Sequence, residues 1–129
     1  MKRRIDASQL KELTDEQQTK LRELWKPQCG DLILFYDPAL RRYSNESIVY
    51  AYDPYNGRVR DVKERVLEKR ECLPLLSVSQ MIELLQEKYP VMGIERRLGI
   101  EYGWNIEHYR AFELADVLWI MVKEVLAND

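Results

Sequence analysis

Ser47-Ile48-Val49-Tyr50-Ala51-Tyr52-Asp53-Pro54-Tyr55-Asn56-Gly57-Arg58-Val59-Arg60 is the stretch whose reading decides the fold. Ser47 to Asp53 reads as a strand with Ile48, Tyr50 and Tyr52 on one face. Asn56 and Gly57 both tolerate positive φ, which a two-residue type I′ hairpin turn demands. Closing the hairpin there sets Tyr55 opposite Arg58 and makes Asp53–Arg60 a favourable cross-strand pair. The same register sets Tyr52 opposite Asp61 and Tyr50 opposite Lys63, so neither face is cleanly apolar. The hairpin is expected; its register stays open. Arg58 to Leu67 is the returning strand, at a sheet edge where charges discourage unwanted pairing.

Upstream, Leu32-Ile33-Leu34-Phe35-Tyr36 is an apolar run of buried-strand type, closed by Asp37-Pro38. Ala39 to Glu46 is polar and reads as a loop, with Arg41, Arg42 and Tyr43 exposed. The sheet region thus spans 31–67. Ahead of it, residues 8–25 read as helix in two pieces, because Thr14 and Gln17 have capping-box spacing. Asp15 and Glu16 follow in the first turn, and Pro27 ends the segment.

Downstream, Cys72-Leu73-Pro74-Leu75-Leu76 is an extended link, and Ser77 with Gln80 opens a helix over 78–88. Val78, Met81, Ile82 and Leu85 form its buried stripe. Leu98, Ile100, Tyr102, Trp104, Ile106 and His108 alternate with polar residues and glycines, so a strand is expected at about 98–107. A C-terminal helix is expected at about 109–126. Between Ala111 and Val122 it is apolar at every position except Glu113 and Asp116, which makes it the most buried helix. The sum is one α+β domain over 1–129: an antiparallel sheet of three or more strands with two or three packed helices.

The 129 residues, 46% hydrophobic and 33% charged, support a core rather than long disordered tracts. Lys and Arg number 20 against 22 Asp and Glu, and the signs alternate, as in Lys63-Glu64-Arg65. A dedicated nucleic-acid binder shows a basic excess on one face, so nucleic acid is the weaker expectation. No apolar stretch follows the basic start and no run approaches the length of a membrane span, so a cytoplasmic protein without membrane attachment is expected.

Trp25-Lys26-Pro27…Gly30-Asp31, Cys72-Leu73-Pro74-Leu75…Gln80-Met81 and Leu118-Trp119…Val122-Lys123-Glu124 together resemble small uncharacterised proteins encoded in phages and prophages of Gram-positive bacteria. The resemblance covers most of the chain and implies a bacterial or phage origin and an accessory role. It carries no catalytic residue with it.

The chain has no Asp-x-Asp pair, His-Glu-x-x-His, phosphate-binding glycine loop or Gly-x-Ser-x-Gly. Two cysteines and one histidine fall short of a four-ligand zinc site, so neither metal nor cofactor is expected. Cys29 or Cys72 with His108 is the remaining nucleophile–base combination, and it defines a small hydrolase or transferase as one alternative function. The leading expectation is a non-enzymatic accessory protein that acts by binding another protein. Its candidate residues are Tyr43, Tyr50, Tyr52, Tyr55, Arg58 and Arg60, since Tyr and Arg combine large contact area with polar tips. Single-stranded nucleic acid, stacking on the same tyrosines, is the other alternative. Leu118, Trp119 and Val122 are the candidates for self-association into a homodimer.

Overall fold

The computed structural model describes residues 2–90, 92–97 and 103–128. Two compact units are present, one formed by Asp6–Leu75 and the other by Met1–Ile5 with Leu76–Asp129. The class is α+β and both sheets are antiparallel.

The first unit opens with helices α1 (Ala7–Leu10) and α2 (Asp15–Leu24). The Thr14–Gln17 capping box is present: Thr14 Oγ1 accepts the Gln17 amide at 3.1 Å, and the Thr14 amide donates to Gln17 Oε1 at 2.8 Å. Five strands follow, β1 (Leu32–Asp37), β2 (Arg42–Asp53), β3 (Arg58–Asp61), β4 (Val66–Glu68) and β5 (Cys72–Pro74). They form one curled sheet in the order β4-β3-β2-β1-β5. The long β2 pairs with β1 through its first half and with β3 through its second. A 3-10 turn at Lys69–Glu71 returns the chain to β5, which pairs with β1. Trp25, Ile33, Phe35, Val49, Val59 and Cys72 form one buried cluster, and Leu21, Leu34 and Leu73 are buried as well.

Several local expectations change. Ala39–Glu46 is mostly strand, because the Asp37 carboxylate accepts the Ala39 amide at 2.9 Å and Arg41 turns at φ 53°, which closes a short β1–β2 connection. The second hairpin has a four-residue loop, with Asp53 paired to Arg58, Tyr52 to Val59 and Ala51 to Arg60. Only Gly57 of the Asn-Gly pair has positive φ, at 68°. The Asp53 carboxylate accepts the Tyr55 amide at 2.9 Å and the Asp53 carbonyl accepts the Gly57 amide at 3.0 Å, so the turn forms one residue earlier than a type I′ pair requires. A bulge between Val49 and Ala51 then reverses the faces on either side of it. Tyr52 consequently faces the core, while Ile48 and Tyr50 stay outside.

Arg58–Leu67 is two strands, not one, and Asp61 causes the break. Asp61 is buried, and its carboxylate accepts Ser47 Oγ at 2.8 Å, the Lys63 amide at 3.1 Å, the Arg65 amide at 2.8 Å and Arg65 Nε at 2.7 Å. Glu64 takes φ 64° so that the chain can curl round the carboxylate. The Arg65 guanidinium lies 4.7 Å from the Phe35 ring centroid. Burial pushes the Asp61 carboxyl upward; the bonds from Ser47 and Arg65, with the Arg65 charge, outweigh it and hold it below the usual carboxylate value.

The second unit contains α3 (Val78–Leu85), a sheet of β6 (Ile94–Arg97), β7 (Gly103–Ile106) and β8 (Tyr109–Ala111), and α4 (Leu114–Ala127). Ser77 and Gln80 form the capping box of α3. The N-terminal segment joins this unit: the Ile5 amide donates to Leu76 O at 3.0 Å, the Val78 amide to Arg3 O at 2.9 Å, and Lys2 Nζ pairs with Asp116 at 2.7 Å. The C-terminal helix begins at Leu114 and not near Tyr109, because Glu107 turns at φ 54° and sends Tyr109–Ala111 back along β7. Of the expected strand at 98–107, residues 98–102 lie outside the described residues. Gly103 has φ +149°, and a Cβ there would stand 2.7 Å from the Ala111 carbonyl oxygen, so only glycine fits this close approach.

Asp61→Asn removes the charge that four donor groups are arranged around, and should lower stability by about 1–3 kcal/mol in urea unfolding. Because the folded pKa is depressed, the wild-type contribution is complete above the ordinary Asp value and disappears on acidification below about pH 4. The variant should lack that acid-sensitive component. Gly103→Ala should cost about 1–3 kcal/mol by the same assay, from positive φ and the carbonyl contact together.

Candidate binding face and cleft

The β2–β3–β4 registers sort the side chains into rows across the sheet. Tyr52, Val59 and Leu67 are paired in one row and face the core. Asp53, Arg58 and Glu68 form the next row, facing out, with carboxylates flanking the guanidinium. Ala51, Arg60 and Val66 form a second outward row. Beyond the bulge, the Val62 amide donates to Ile48 O at 3.0 Å and brings those two residues side by side. Ile48, Tyr50, Val62 and Val66 are all exposed, Tyr50 by 60% and Val66 by 58%. These apolar side chains are set on the outside of the sheet, with Arg60 between the β2 residues and Val66.

The six residues singled out from the sequence therefore do not form one group. Tyr50, Arg58 and Arg60 share the outer face, and Tyr55 stands at the turn tip, 99% exposed. Tyr52 packs inward under Lys69, whose Nζ is 5.9 Å from the ring centroid. Tyr43, expected to be exposed, is half-buried; it accepts a hydrogen bond from Arg22 Nη2 and meets the Tyr36 ring edge-on at 5.4 Å. Burial holds its phenol above the usual value, against the pull of the Arg22 guanidinium. Val62 and Val66 escaped the sequence reading because they flank a charged run that reads as solvated surface throughout. Only the turn around Asp61 places both valines on the outer face.

Leu118, Trp119 and Val122 are buried within the chain, on a helix that packs on α3, β7 and β8, so they present no surface to a second copy. Ile120 is a large apolar side chain that α4 leaves exposed.

The nucleophile combination is not assembled within the first unit. Cys29 is exposed in the α2–β1 connection and Cys72 is buried on β5, while the chain's one histidine, His108, belongs to the other unit. There it occupies the β7–β8 turn, 4.1 Å from the Tyr109 ring. Cys72 Sγ donates to Glu68 O at 3.4 Å. Burial first, and Glu71 second, push its thiol up to about 12 despite Arg22 nearby, so Cys72 is a packing residue. Among the described residues no three His, Cys, Asp or Glu side chains converge as metal ligands, and no helix is long and apolar enough to cross a membrane.

The same unit also holds an open cleft of about 590 Å³. Arg22 and Glu23 of α2 form one wall, the Asn56-Gly57 turn another, and Glu68, Lys69 and Arg70 the third. No family model, no curated protein and no solved structure matches the chain.

With Ellman's reagent at neutral pH, the native protein should expose one reactive thiol, Cys29, and the denatured protein two. Cys29→Ser should leave a native protein that does not react.

Proposed function

We propose that this protein is a non-enzymatic binding module of the cytoplasm that engages a protein partner through the outer face of β2, β3 and β4. One observation supports the reading above the others: Ile48, Tyr50, Val62 and Val66 are all exposed on the outer side of β2–β4, where Arg60 lies among them and the neighbouring row is charged. Across β2 and β3 the inner face is filled by Val49, Val59 and Tyr52, and an antiparallel sheet can leave its other face to solvent. The exposed apolar side chains have no role in the unit's own core. Such side chains with a polar border are the pattern of protein interaction sites, where aromatic and Arg side chains carry most of the affinity. Tyr50 at the bulge and Arg60 beside it are the anchors of this proposal. An accessory role in a phage or prophage setting, implied by the sequence resemblance, belongs to the same proposal.

The outer position of these residues makes a clean test. Tyr50→Ser with Val66→Ser should leave the unfolding midpoint nearly unchanged, since both side chains already stand in water. The wild-type protein should capture a protein partner on cross-linking in its host cells, and the double variant should lose it. Tyr52→Ser, by contrast, should lower stability. Undiminished capture by a folded double variant would sink the proposal. Co-purifying nucleic acid that dissociates steeply with salt would transfer the face to single-stranded nucleic acid.

A further inference from the structure

Three cations line the cleft, and they are held in two different ways. Arg70 is paired with Glu68. Arg22 instead donates Nε to the Cys72 carbonyl at 3.0 Å and Nη2 to the Tyr43 hydroxyl, with its guanidinium 5.4 Å from the Tyr43 ring centroid. Every one of those contacts is to a neutral group. They hold the planar fork in place without neutralising it, and they use two of its five N–H donors. Lys69 is similar. Its amide donates to the Gly57 carbonyl at 2.8 Å, tying the 3-10 turn to the β2–β3 loop, and its half-buried ammonium lies over Tyr52. Burial draws its pKa below the usual lysine value, with Glu23 opposing. The site therefore keeps two positioned cations whose direct contacts are a carbonyl, a phenol and aromatic faces.

A carbonyl and a ring face orient a cation while leaving most of its charge and donors for an incoming anion. The volume falls within the range of small-molecule sites. Gly57 has nothing within 4 Å of where a Cβ would stand, so the turn leaves that side of the cleft open. Glu23 and Glu68 on the walls oppose a large polyanion such as a nucleic-acid backbone and favour a compact ligand with one anionic group. We infer that the cleft between α2 and the 3-10 turn is a binding site for a small molecule bearing an oxyanion, a carboxylate or a phosphate, seated between Arg22 and Lys69. This inference is independent of the sheet face proposed as the protein-binding surface.

The test is an amide NMR titration of the intact chain with inorganic phosphate and, separately, with succinate, at ionic strength held constant with chloride. Saturable shifts of the Gly57, Lys69 and Arg70 amides and of the Arg22 Nε–H are expected, and the tighter of the two probes identifies the anion class. Lys69→Met keeps an apolar stem over Tyr52 and should stay folded while weakening binding by roughly tenfold or more. Arg22→Lys keeps the charge, loses the fork, and should weaken it as well. Linear shifts that match the chloride control for both probes would overturn the inference. So would unchanged affinity in folded Lys69→Met.

Discussion

A carboxylate taken out of water costs several kcal/mol unless its lone pairs are filled, and the position of Asp61 turns that cost into a constraint on the sheet. Its four donors come from β2, through Ser47, and from the loop it shares with Lys63 and Arg65. The loop must curl round the carboxylate to supply them, and it reaches left-handed geometry at Glu64 in doing so. The route brings Val62 beside Ile48 and starts β4 with Val66 across from Arg60. It also lays the Arg65 guanidinium over Phe35 at the margin of the core. The outer placement of these valines is therefore a consequence of how one buried charge is satisfied.

The two surfaces of functional interest both arise from the curled five-stranded sheet. A two-faced antiparallel sheet normally alternates apolar and polar side chains along each strand. In β2 the bulge at Tyr50 interrupts that alternation, so Ile48 and Tyr50 remain outside while Tyr52 enters the core. At the far end, the β2–β3 turn and the 3-10 turn meet through the bond from the Lys69 amide to Gly57, and α2 completes the cleft with Arg22 and Glu23. Arg22 links the parts: it bonds β5 through Cys72 and β2 through Tyr43.

The motifs that carry the sequence resemblance serve the fold. Trp25 Nε1 donates to the Asp31 carboxylate at 3.0 Å, and the same oxygen accepts the Gln28 amide at 2.9 Å, so Asp31 ties the end of α2 to the start of β1. Pro74 is tolerated because β5 is the last strand in the order of its sheet, so its missing N–H breaks no ladder on a second side among the described residues. Trp119 is buried on α4. Such positions account for shape and stability, and the exposed groups of the outer face and the cleft lie outside them.

What the sequence determined by itself was local. The capping boxes at Thr14–Gln17 and Ser77–Gln80 involve atoms three residues apart, so the residue types suffice to read them. The apolar run of β1 and the mixed α+β class are likewise legible from pattern alone. Which tyrosine meets solvent was not. Alternation assigns faces only when every residue between two points is counted in register, and one bulged residue or one turn closed a residue early reverses the assignment. Tyr52 turned inward through the bulge, Tyr43 through a bond to an arginine 21 positions away, and Tyr109–Ala111 became strand because Glu107 reversed the chain. Arg22 and Lys69 gave no signal at all, since each is one charged residue among many until α2 and the 3-10 turn set both on one cleft. Local hydrogen bonding is encoded residue by residue. Faces, burial of charge and convergence of distant cations exist only once long-range pairing has brought the segments together.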